Sequence, residues 1–165
     1  MVEMSVAGIA LDAASRTPIV LLRDPSGRRQ VPIWIDQTQA HNIMAGLQGT
    51  EQPRPLSHDL MAALLVAGGL ELERVIVHAI EDSTFHAVLK LRQTDPPEQD
   101  SEDSSILQDV DARPSDAIAL AVRTGSSIWM LEEVVAEASI AVDAEADARD
   151  PVSYTHLTLP TKCWV

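Results

Sequence analysis

The chain predicts an α+β domain with a mixed, largely antiparallel sheet and packed helices. Three observations lead there. Strand-like segments come in neighbouring groups joined by short polar turns. Helix-like segments fall between those groups and not after every strand, as a doubly wound fold would require. The composition, 45% hydrophobic and 22% charged in 165 residues, is that of a globular chain able to bury one core.

Residues 2–11 and 18–23 are apolar and β-branched around a polar turn, and read as two strands. Pro25-Ser26-Gly27 makes the next turn, and 29–35 is a third strand. Asp36 is placed as a helix cap with Gln39 three residues on, a capping box, and the helix runs to about Gln48 before Gly49. After a loop, Ser57 is read as a second cap for a helix over 58–67 that stops at Gly68-Gly69.

Residues 70–80 and 84–92 flank Asp82-Ser83 and predict a hairpin. Residues 93–104 hold two prolines, five acids (Asp95, Glu98, Asp100, Glu102 and Asp103) and no apolar residue, the composition of a solvated loop. A strand over 105–110 pairs with the one before it. Ser115 is read as a third cap, opening a helix that stops near Gly125. A short strand at 128–130 and a helix over 131–139 complete the domain, which is bounded at residues 1–139. Residues 140–150 are acidic and alanine-rich, the composition of a fraying tail. Residues 152–161 match the conceptual translation of a sequencing adapter, so 151–165 are set apart from functional argument.

The net charge is −13, with −3 in residues 1–90 and −11 in residues 91–150. A broad surface for duplex DNA or an anionic membrane needs a basic face, which this chain lacks. There is no apolar run of membrane-spanning length, no secretory leader pattern, and a single cysteine, Cys163. These features predict a cytoplasmic protein that makes no use of membranes. A glycine-rich phosphate loop, a nucleophile elbow and zinc-ligand spacing of histidines are all missing.

What stands out is a repeated helix start. Arg54-Pro55-Leu56-Ser57-His58-Asp59 and Arg113-Pro114-Ser115-Asp116 each set Arg-Pro before a serine and an aspartate in the first turn. Free backbone N–H groups, a positive dipole end and a guanidinium together suit an anion such as phosphate. The aspartates repel phosphate unless a cation lies between, which is the arrangement of a metal-assisted hydrolase. Asp111, two residues after Asp109 on one strand face, adds a carboxylate close in sequence to the second start. His58 is the candidate for proton transfer beside a carboxylate. The same residues also fit a purely structural reading, in which acids stabilise helix dipoles and arginines staple helices together. Trp34 and Trp129 fall in apolar strands and read as core or subunit contacts before base stacking.

These segments resemble the bifunctional nuclease family, credited with DNase and RNase activity. The carriers are Val31-Pro32-Ile33-Trp34-Ile35, the Arg54–Leu60 run, Thr84-Phe85, and the run from Asp111 through Arg113-Pro114-Ser115-Asp116 to Leu120. Asp36 and Ser83 stand where the family usually has glycine, Ser57 where it has threonine, and His86 where it has tyrosine. The resemblance implies an α+β fold, a homodimer or higher homo-oligomer, and hydrolysis of DNA and RNA. Chemistry then assigns Asp59, Asp111 and Asp116 to a divalent cation, magnesium or manganese, and Arg54 and Arg113 to phosphate. His58 is left for proton transfer. Single-stranded or flexible DNA and RNA are the expected substrates, because no groove-reading helix is evident. The alternatives are a non-catalytic homo-oligomeric regulatory or partner-binding module and a small-anion or nucleotide binder.

Overall fold

The first strand, β1 (Val2–Asp12), is the joint of the sheet. In the computed structural model, which describes residues 1–49, 51–94, 108–142 and 156–157, its two ends have different partners. Its later residues pair antiparallel with β2 (Pro18–Arg23), from Ser5 opposite Arg23 to Leu11 opposite Pro18. The register shifts between Val6 and Gly8. Beside β2 lies β3 (Arg29–Trp34), with Ile19 opposite Trp34. The first residues of β1 pair instead with β7 (Ser127–Met130), Val2 opposite Met130.

Two helices follow β3. The expected capping box is present at α1 (Gln37–Gln48): the Asp36 carboxylate accepts from the Gln39 N–H at 2.7 Å, and the Gln39 amide oxygen accepts from the Asp36 N–H at 2.9 Å. Gly49 closes the helix in the left-handed conformation. Next, α2 (Ser57–Ala67) leads into the hairpin of β4 (Leu70–Glu81) and β5 (Thr84–Gln93). Asp82 and Ser83 have φ of 47° and 63°, the two left-handed positions of a tight hairpin turn. Then β6 (Gln108–Ala112) pairs with β5, Asp111 opposite Val88.

The last elements are α3 (Pro114–Thr124), β7, α4 (Glu132–Ala138), the two-residue β8 (Ile140–Ala141) and β9 (His156–Leu157). The strands run β6-β5-β4-β7-β1-β2-β3-β8, with β9 parallel to β1. The β4–β7 pair is parallel and the remaining pairs along this order are antiparallel, so the expected α+β class and mixed sheet hold. Where a tail was expected from residue 140, β8 adds to the edge of β3. The acidic stretch expected as a loop lies outside the described residues from 95 to 104, as does the tail from 143.

Two helix starts differ from expectation by a residue or more. Ser57 is the first residue of α2, and the cap position is Leu56, whose N–H donates to the Asp59 carboxylate at 2.8 Å. Pro114 opens α3, and Arg113 occupies the cap position. Proline has no N–H to satisfy and its fixed φ suits the first helical position, so it sets the start ahead of Ser115. Between α1 and α2, α3 lies against β4 and β5, and Ala117 to Ala121 are all buried. With Val20, Ile43, Val75, Val77, Ile128 and Met130 they form one continuous core.

Candidate active site

The two Arg-Pro helix starts meet at the α2–α3 contact. His58, Ala62 and Leu65, spaced i, i+4 and i+7, turn toward the core, while Leu60, Met61, Leu64 and Val66 face outward. On α3, Asp116, Ala119 and Arg123 share a face at i, i+3 and i+7, two turns from end to end. His58 Nε2 lies 3.1 Å from Asp116 Oδ1. One residue later, Asp59 Oδ1 accepts from Arg123 Nε at 2.7 Å. At the outer edge, Arg113 Nε donates to Asp116 Oδ2 at 2.7 Å. Two consecutive residues of α2 thus engage both ends of one α3 face.

Burial divides this network into an inner and an outer part. The His58 side chain is 4% exposed and that of Arg123 is 7%, whereas Asp116 is 28% and Arg113 is 68%. An ionised carboxylate only accepts hydrogen bonds, so His58 carries its proton on Nε2 and donates it to Asp116. Its Nδ1 is buried without a hydrogen-bond partner among the described residues. Burial pushes the Asp116 carboxyl up, but the hydrogen bond and charge of Arg113, with a smaller share from His58, hold it below the usual range. Asp59 is also held low, first by the Leu56 N–H and then by Arg123. The Arg113 guanidinium is raised by the hydrogen bond and charge of Asp116 and by the charge of Asp36.

Not every expected residue joins them. Arg54 is exposed on the loop before α2, with no ion pair among the described residues. Asp111 is exposed on β6, and its neighbour Asp109 pairs with Lys90 Nζ at 2.6 Å. The described residues contain no group of three or more His, Cys, Asp or Glu side chains placed to hold one metal ion. The expected cation set of Asp59, Asp111 and Asp116 therefore does not form: Asp59 faces Arg123, Asp116 faces Arg113 and His58, and guanidinium groups already neutralise both. As arranged, the described carboxylates do not make the expected three-residue set.

A family model described as the bifunctional nuclease domain matches residues 20–143, a span that includes both helix starts. The chain belongs to the bifunctional nuclease domain family. Two Mycobacterium tuberculosis proteins, from strains CDC 1551 and H37Rv, are each 38% identical over 147 residues, which cover 89% of this chain and 82% of theirs. Both are called uncharacterized protein.

In this family member, sequence reasoning missed Arg123. Besides Asp59, its guanidinium donates from Nη1 to the carbonyl oxygens of Asn42 and Ala119, both at 2.8 Å, and so ties α1 and α2 to α3. Gly46 makes room for it. A Cβ there would lie 2.5 Å from Val122 Cγ2 and 2.8 Å from Arg123 Nη1. The available signal was spacing: Arg123 falls seven residues after Asp116, on the same helix face, in an otherwise apolar run.

Proposed function

We propose that the chain hydrolyses phosphodiester bonds of single-stranded or flexible DNA and RNA at the outer part of this network. One observation carries the reading. Asp116 is held between His58 at 3.1 Å and Arg113 at 2.7 Å where two helix N-termini meet, and it is still open to solvent. Arg113, the more exposed partner, takes the scissile phosphate, whose charge the helix ends favour. The Asp116 carboxylate orients the attacking water and accepts its proton as the new P–O bond forms and the ester P–O bond breaks. His58 is the positioning residue behind it, because neither ring nitrogen is presented outward. This departs from the role expected for His58 as the proton carrier.

Family membership supports a nuclease, and nothing in the carboxylate arrangement requires a metal-bound step. The test is cleavage of labelled single strands by the wild-type chain and by Asp116→Asn, with magnesium, with manganese and with chelator. Activity that survives chelation and is lost in Asp116→Asn agrees with the reading. Activity abolished by chelator restores a cation to the site.

A second reading, a non-catalytic module, is favoured by α2. Leu60, Met61, Leu64 and Val66 are 54%, 41%, 62% and 76% exposed, and residues 60–70 carry no ionisable side chain. An uncharged apolar face is self-complementary, so a second copy of this acidic chain can meet it without burying like charges. Under this reading the chain is a homo-oligomer and the Asp116 network only staples helices.

A further inference from the structure

A groove of about 460 Å³ opens where the β1–β2 turn meets the start of α1, lined by Arg16, Thr17, Trp34, Asp36, Gln37 and Gln39 among others. That volume lies in the range of small-molecule sites, roughly 300–1,000 Å³. Its lining is unlike an anion site. Arg16 and Asp36 are of opposite charge, and beside them stand an indole, a hydroxyl, two carboxamides and the apolar Pro18 and Ile35. Such groups recognise a flat, uncharged, hydrogen-bonding ring, the chemistry of a nucleobase.

Hydrogen bonds hold the walls of the groove in place. Asp12 fixes the turn through the Ala14 N–H at 3.1 Å, the Ser15 hydroxyl at 2.8 Å and the Trp34 indole N–H at 3.4 Å. One carboxylate therefore secures both the turn and the aromatic ring. Arg16 sits at φ 55°, an uncommon conformation for a non-glycine residue, with its N–H on the Asp12 carbonyl at 2.8 Å. Its exposed guanidinium has no partner among the described residues. Trp34 packs one part of its side chain on Ala10, Ile19 and Leu21 and lines the groove with another. The far wall, Asp36, is close enough to add its charge to the electrostatics of Arg113. Through Asp36 the groove lies within electrostatic range of the exposed guanidinium at the start of α3.

We propose that this groove is a base-binding subsite, in which an unpaired nucleobase stacks on Trp34 and is edged by Arg16 and the carboxamides of Gln37 and Gln39. It rests on the nuclease reading for its neighbour, the phosphate at Arg113, and it deepens that reading by making the substrate a single strand with an accessible base. A paired base cannot turn its face to Trp34 without leaving the duplex stack.

The experiment measures binding by fluorescence anisotropy with a labelled, phosphorothioate-linked single-stranded oligothymidylate and the matching abasic strand, alongside a cleavage assay on ordinary single strands. The wild-type chain should bind the base-bearing strand about tenfold more tightly than the abasic one, the gain expected from one stacked base. Arg16→Glu, Gln37→Ala and Trp34→Leu should each shrink that preference, while Arg28→Glu, an exposed charge reversal outside the groove, should keep it. Trp34→Leu can fail by unfolding, so the two exposed positions decide the matter, with melting temperature as a check. No base preference in the wild-type chain, including no binding at all, overturns the subsite, as does a preference unchanged in Arg16→Glu and Gln37→Ala. If cleavage depends on Asp116 while the groove variants bind like wild type, only the subsite falls. If cleavage is absent but the preference is lost in the variants, the subsite stands and the nuclease reading falls.

Discussion

Asp116 and His58 differ in what they offer a substrate, and the difference is measurable. A carboxylate held below its usual range stays ionised through the neutral and mildly acidic range. With Asp116 receiving the proton, cleavage should show no acid limb between about pH 7.5 and 5. A pH–rate profile on a labelled single strand tests this, and an acid limb within that range would contradict Asp116 as the proton acceptor. Asp116→Asn should lower cleavage by at least about 100-fold, the smaller end of what a positioned proton acceptor contributes.

The same lowered carboxyls link stability to acid. Asp24, Asp59 and Asp116 are each held below the ordinary value of about 3.9, Asp24 against the upward push of its own burial and by Arg29 and Ser26. Near pH 4 the unfolded chain binds more protons than the folded one, so stability rises with pH there. The urea midpoint should be steady above about pH 5 and fall as pH drops through these folded-state values. Asp116→Asn should make that fall shallower. Both aspartates at the helix starts were legible as candidates, because Arg-Pro before an acid is a local pattern. Which partner each one finds was not legible, since His58 and Asp116 are 58 residues apart and their contact depends on how α2 crosses α3.

At the scale of elements, helix positions followed local chemistry, as the Asp36 capping box and the left-handed Gly49 and Gly125 show. The exact starts of α2 and α3 did not, because the expected serine caps make no capping bond and Asp59 and proline geometry set those ends instead. The least legible feature was Arg123, whose partners come from α1, α2 and α3. Removing its charge in Arg123→Met leaves Asp59 without its cation and takes the side-chain donor away from the Asn42 and Ala119 carbonyls. A broken buried pair costs about 3–5 kcal/mol, and since the Asp59 side chain is 38% exposed we expect about 2–3 kcal/mol by urea unfolding. Gly46→Ala gains helix propensity but crowds Val122 and Arg123, for a net loss of about 1–2 kcal/mol. A stability equal to wild type in either variant would contradict these roles for the helix contacts.

For the whole molecule, the sheet places its joint at β1, and the helical layer brings the starts of α2 and α3 together. Paired strands with helices between them were enough to predict the class, whereas the parallel β4–β7 contact, which joins the two halves through β1, has no local signature. The acidic balance fits a small local site better than a long charged track. The apolar outer face of α2 gives the competing account its own test: sedimentation should show a homo-oligomer that Leu64→Glu converts to monomer, and a wild-type monomer would remove it. The most direct test of the central claim is cleavage of labelled single-stranded DNA and RNA by purified wild-type chain beside folded Asp116→Asn. Cleavage by the wild-type chain is expected, with its loss in the variant at unchanged fold. Equal cleavage by both, or none by either, would contradict it.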